Sequence, residues 1–274
     1  MSEAPHDPSA VLATAAFGDE PGRWPLPSAT TPRQRWLRAV AAGGQGRYAS
    51  AATDLAALLR DTPAGPTASL AHSTRASFLR QLGGHDLARG LDGRALALAR
   101  NGHEAAPEAG ADALVGLAAD ALGVGRFAAS AALLDRARQL PQPATAPARL
   151  AVRQEWVTAE LAMVTGDGAT AVRHAERALH LTPEAMARHR VKSRLVLAGA
   201  LCCAGNPERA RTVAGAALHD SGRLGLVPLR WALASLLVDV GSATQSVEEL
   251  RTMRDDAAEL VRHRGGSWQR RTQR

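Results

Sequence analysis

Aromatic side chains make up only 3% of this 274-residue chain. Sandwiches and barrels draw their strands from β-branched and aromatic residues, so this scarcity argues against a sheet protein. Cysteine is nearly absent: Cys202 and Cys203 are the two present, adjacent in sequence. Neighbouring residues rarely meet disulfide geometry, and two cysteines make no disulfide framework. Both are expected to be small buried hydrophobes in a reducing compartment. Lysine is reduced to Lys192. No run of about 18 apolar residues occurs, so no membrane span is expected. The amino terminus, MSEAPHDPSAVLATAAFGDEPGRWPLPSATTP, has no basic n-region, and polar residues and prolines break its apolar run. It does not read as a secretory signal, and a soluble cytoplasmic protein is expected.

What is present is alanine, with arginine carrying nearly all of the basic charge. Hydrophobic residues reach 46%, enough for a sizeable core. Alanine is the best helix former, and its small side chain lets helices approach closely. Alanine excess with arginine in place of lysine looks like the coding bias of a high-GC bacterial genome, so arginine abundance alone is no functional signal. The net charge is 33 − 26 = +7. Arg262, Arg264, Arg270, Arg271 and Arg274 fall in the last thirteen residues with no acid among them, and without that tail the balance is 28 − 26 = +2. A body so near neutrality argues against a large nucleic-acid-binding face.

The chain repeats itself. A glycine followed five residues later by alanine or serine recurs as GRYASA (Gly46–Ala51), GGHDLA (Gly83–Ala88), GRFAAS (Gly125–Ser130), GDGATA (Gly166–Ala171) and GNPERA (Gly205–Ala210), and Gly241 opens a looser sixth copy. Seven residues before each glycine stands an alanine: Ala39, Ala76, Ala118, Ala159, Ala198 and Ala234. Twelve after come Leu58, Ala95, Ala137, Ala178 and Ala217. This spacing predicts helix–turn–helix units. The first helix ends at a glycine in the left-handed conformation, small residues sit where the two helices cross, and Pro63 and Pro183 end the second helix. A single pair cannot bury its apolar face, and stacking does so.

These residues resemble the tetratricopeptide repeat family. GRYASAATDLAALLRDTP and GDGATAVRHAERALHLTP carry the likeness best, and GRFAASAALLDRARQL carries it without the proline. The period is longer than the family's, and Trp36, Trp156 and Trp231 stand ten residues before their glycines rather than at the usual tryptophan position. The resemblance implies an all-α fold: a right-handed α-solenoid of about six divergent, TPR-like helix pairs over residues 31–264. The pairs are expected near 33–60, 67–100, 108–139, 147–180, 184–221 and 226–264, the last a charged cap. Residues 1–30, rich in proline, are expected to be disordered, and 265–274 to form a flexible basic tail. PQPATAP (Pro141–Pro147) is the main rigid connector.

Catalytic motifs are lacking. GVGRFA (Gly123–Ala128) satisfies a loose G-x-G-x-x-A, but it follows a helix rather than a strand. Walker, H-E-x-x-H and G-x-S-x-G sequences are absent, and His72, His85 and His103 form no metal-ligand pattern. The reading is therefore non-enzymatic, with no cofactor and no metal.

The family register implies that the first helices line a concave groove at positions thirteen, ten, six, three and two residues before each glycine. That set is Arg33, Trp36, Ser73, Ser77, Arg80, Gln81, Arg153, Trp156, Glu160, Lys192 and Trp231. Tryptophan and arginine dominate binding hot spots. The polar stretch SLAHSTRASFLRQLGGHDLARG (Ser69–Gly90) then becomes a groove wall, with Arg80 free to hold a carboxylate. The alternative is that Arg75 or Arg80 pairs with Asp86 or Asp92 of the next helix. The expected function is a protein–protein interaction scaffold that binds a protein or peptide segment. Alternatives are a sensor domain for a small ligand or peptide signal, and a weak binder of nucleic acid or anionic surfaces through the arginine tail. If a terminus occupies the groove as an autoinhibitor, truncating residues 1–30 raises partner affinity.

Overall fold

The computed structural model describes residues 7–100, 107–141 and 145–269, and all thirteen elements of regular structure among them are α-helices. Helix α1 (Pro8–Phe17) precedes six pairs. These are α2 (Pro32–Gly44) with α3 (Tyr48–Asp61), α4 (Gly65–Gln81) with α5 (His85–Arg100), and α6 (Pro107–Gly123) with α7 (Phe127–Arg138). They continue as α8 (Ala148–Val164) with α9 (Gly168–Leu181), α10 (Ala187–Cys203) with α11 (Pro207–Arg223), and α12 (Val227–Val240) with α13 (Val247–His263). Each helix packs on its partner, and α2, α4, α6, α8, α10 and α12 also pack on one another in that order.

The small-residue spacing explains the packing. Gly46, Gly83, Gly125, Gly166, Gly205 and Gly241 all take a positive φ, between 74° and 87°. At Gly46 the turn closes as the Arg47 N–H donates to the Ala42 carbonyl at 2.9 Å. The six alanines seven residues before these glycines are 0% exposed, and so are Ala51, Ala88, Ser130, Ala171 and Ala210 five residues after them. Helix starts are fixed locally. Thr31 and Gln34 form a capping box at α2, and Ser246 and Glu249 form one at α13, each satisfying two otherwise unpaired backbone donors.

A leucine at one of the crossing alanines would force its pair apart. Ala171→Leu is expected to cost about 1–3 kcal/mol, or several degrees of melting temperature. Ala169→Leu, at an exposed site on the same helix, is expected to stay within about 0.5 kcal/mol. Circular-dichroism melts of the two variants check this, and equal shifts would refute the crossing-site argument.

Both chain ends depart from expectation. The segment 1–30 is ordered over its described part. Asp7 caps α1 by accepting from the Ser9 N–H at 2.9 Å, and Pro8 occupies the first turn, where a missing N–H costs nothing. Leu12, Ala15 and Ala16 are buried. Beyond α1, Gln45 Nε2 donates to the carbonyls of Pro21 and Arg23 at 2.9 and 3.0 Å, and the Arg47 guanidinium lies 3.9 Å from the Trp24 ring centroid. Prolines in an extended segment docked on a neighbour lose no ladder hydrogen bonds, so a composition typical of disorder is compatible with order here.

The expected flexible tail is likewise docked over Gly265–Gln269. The Trp268 and Trp231 rings pack with centroids 4.4 Å apart, and the Gln269 N–H donates to the Leu82 carbonyl at 2.8 Å. Arg264 donates to the Gln45 carbonyl at 2.7 Å, so the last pair meets the first. Arg270, Arg271 and Arg274, and part of the Pro141–Pro147 connector, lie outside the described residues. Cys202 is half-buried and Cys203 exposed, because they end α10 beside the Gly205 turn instead of at a helix crossing. No described helix is long and apolar enough to cross a membrane.

Candidate functional site

Helices α2, α4, α6, α8, α10 and α12 together line one cavity of about 460 Å³. Trp36, Ser73, Val115, Trp156, Leu195 and Trp231, the residues ten before each turn glycine, all border it. One helical face therefore turns inward at the same register in every pair. Of the expected groove set, Trp36, Ser73, Ser77, Arg80, Gln81, Arg153, Trp156, Glu160, Lys192 and Trp231 line the cavity. Arg33 does not; it is exposed outside the lining, its guanidinium 4.2 Å from the Trp36 ring centroid.

Four rings form a continuous string along the wall. Trp36 and Phe17 have centroids 5.4 Å apart, Phe17 and His189 5.9 Å, and His189 stacks on Trp156 at 5.5 Å. Hydrogen bonds set the indole orientations: Trp36 Nε1 donates to Thr74 Oγ1 at 2.9 Å, and Trp156 Nε1 to Ser193 Oγ at 2.8 Å.

Beside this string lie three arginines. Arg149 is buried and donates to Glu108 at 2.6 Å and to Asp112 at 2.5 Å. Arg153 also donates to Asp112. Arg188 pairs with no carboxylate among the described residues, its Nη atoms donating to the carbonyls of Val40 at 3.2 Å and Ala16 at 3.1 Å. Burial, followed by the charges of Arg149 and Arg153, pushes the Arg188 guanidinium down to about 10, so it stays charged at neutral pH. Burial and the same neighbouring cations hold His189 well below its usual range, so it is neutral.

Of the two roles the sequence left open for Arg80, free in the groove or paired with the next helix, the structure has the second. Arg80 donates to Asp92 at 2.9 Å, to Asp120, and to the Gly116 carbonyl at 3.1 Å. Asp92 and Asp120 are both 0% exposed, so Arg80 ties α4 to α5 and α6. One guanidinium faces two buried carboxylates. Burial, opposed by Arg80 and reinforced by Asp92, pushes Asp120 up to about 7. The fit requires a bare backbone, since a Cβ on Gly116 would lie 2.3 Å from Asp92 Oδ2.

The other expected residues are partly committed. Lys192 pairs with Glu160 at 2.9 Å. Ser77 Oγ donates to the Thr74 carbonyl at 2.7 Å within its own helix, and Gln81 accepts from the Tyr48 hydroxyl at 3.2 Å. Among the described residues Ser73 Oγ and His189 Nδ1 have no hydrogen-bond partner, although the two residues are 5% and 4% exposed. Among the described residues no group of three His, Cys, Asp or Glu side chains could hold a metal ion.

Phe17, Arg149, Arg188 and His189 were missed by the sequence reading. Arg149 and Arg188 stand seventeen residues before Gly166 and Gly205, one helical turn beyond the outermost position considered. Extending the register by four residues would have found both. No protein-family model matches this chain, and no curated protein matches it.

Proposed function

We propose that this chain is a non-enzymatic binding protein whose central cavity takes up a small molecule or the end of a peptide, as a sensor domain that acts on a separate effector. The observation that carries this reading is the convergence of all six helix pairs on one cavity of about 460 Å³. Ligand sites commonly span about 300–1,000 Å³. The volume thus lies within the range of sites that hold a compact ligand. In this reading the pairs are divergent tetratricopeptide-like repeats in a right-handed α-solenoid, curved until its ends touch. The recurring glycine and alanine register supports that view.

A fluorescence titration with the neutral dye N-phenyl-1-naphthylamine tests it. One saturable site per chain is expected, and it should be lost in Ala232→Trp, which places an indole in the cavity from a partly exposed lining position. Absence of binding, or binding unchanged in Ala232→Trp, would count against the cavity.

A further inference from the structure

We infer that the ligand carries an anionic group, carboxylate or phosphate, seated against Arg188, and a flat apolar body lying along the rings of Trp36, Phe17, His189 and Trp156. The inference rests on the cavity being a ligand site as proposed above, and it specifies what the site recognises.

Charge balance is the first ground. Arg149, Arg153 and Arg188 share two carboxylates, Glu108 and Asp112, and neither reaches Arg188. Arg33, exposed, adds to the surplus, 3.9 Å from the same Glu108. A half-buried guanidinium crowded by two others is unfavourable on its own, and an incoming anion relieves that cost.

Donor supply is the second ground. A guanidinium has five N–H groups in a planar fork that matches carboxylate and phosphate oxygens. In Arg188 one bond goes to Val40 and one to Ala16, leaving donors for a ligand. The protein also makes room for this side chain, because a Cβ on Gly44 would lie 2.9 Å from Arg188 Cδ and Nη1.

The third ground is independent of charge. His189 Nδ1 and Ser73 Oγ, both on lining residues more than nine-tenths buried, lack partners among the described residues. Buried polar atoms are normally satisfied, and a polar ligand atom would satisfy them. The aromatic string supplies the apolar complement, since flat rings bury large area at low entropic cost.

The test compares two dyes that differ by a single sulfonate: N-phenyl-1-naphthylamine and 8-anilinonaphthalene-1-sulfonate. The full-length chain is expected to bind the anionic dye at least about tenfold more tightly, as charge-assisted hydrogen bonds predict. Arg188→Gln should remove that preference, weakening the anionic dye about tenfold more than the neutral one. Displacement by 1-naphthyl phosphate or by 1-naphthoate then distinguishes phosphate from carboxylate, and displacement by neither overturns the inference. If neither dye binds, the cavity reading fails and takes this inference with it. If the neutral dye binds and the anionic dye binds no better, the cavity stands and the anion site is refuted. Should Arg188→Gln not melt cooperatively, the ratio of the two affinities in the unaltered chain decides.

Discussion

Arg80→Ala is expected to destabilise the folded chain by about 3–5 kcal/mol, the cost of leaving buried charge without its partner. Asp92 and Asp120 are fully buried, and Arg80 is the cation bonded to both. Adding Asp92→Asn and Asp120→Asn to Arg80→Ala should recover a large part of the loss, because removing both buried acids together with their shared partner is far cheaper than removing the partner alone. Chemical denaturation of the two variants measures this. A loss below about 0.5 kcal/mol, the range of an ordinary surface substitution, would refute the cluster's structural role.

The same cluster predicts a pH profile. Asp120 holds its proton up to about 7 in the folded chain, against an ordinary value of 3.8. Between those values the folded state binds more protons than the unfolded state, so stability falls as pH rises. The slope contributed by one such group is at most about 1.4 kcal/mol per pH unit. His189 acts in the opposite sense at lower pH: neutral when folded, it makes stability fall as pH drops below about 6.5. Asp120→Asn should therefore remove the decline that this group contributes between about pH 4 and 7, and leave the opposing contribution of His189 below about 6.5 to stand alone. Denaturation midpoints at unit pH intervals check this, and an unaltered slope in Asp120→Asn would contradict the shared-proton account.

Arg80 also shows where sequence reasoning reaches its limit. Its place on the inward face was legible, because inward facing is a matter of register, and register is local. Whether it is free depends on which carboxylates two other helices bring to it. Asp92 was within view as a neighbour in the next helix, but Asp120 lies forty residues away. The turn glycines and crossing alanines were legible for the same local reason: positive φ and zero clearance each leave a residue type at a fixed spacing. Arg149 and Arg188 were obscured by an arginine-rich background in which one more arginine carries little information. Phe17 was hidden differently. Nothing periodic connects α1 to the pairs, and its contact with α10 is purely tertiary. The Ala187 N–H donates to the Gly18 carbonyl at 3.2 Å, joining positions 169 residues apart.

Deleting residues 1–18 is expected to lower both stability and affinity for an anionic probe, the reverse of what release of an autoinhibitory segment would do. Helix α1 forms part of the cavity wall. It buries Leu12, Ala15 and Ala16 against its neighbours, supplies Phe17 to the lining, and offers the Ala16 carbonyl to Arg188. Losing the burial of Leu12 and much of Phe17 costs about 1.5–3 kcal/mol each. A loss of roughly 3–6 kcal/mol threatens folding, so Phe17→Ala gives the cleaner comparison. That change keeps α1 and its carbonyls while removing the ring whose centroid lies 5.3 Å from the Arg149 guanidinium and 6.0 Å from that of Arg188. Weaker binding of the anionic dye in Phe17→Ala, with the helical melt retained, identifies α1 as part of the site. Tighter binding would mean that the N-terminal helix competes with the ligand for the same space.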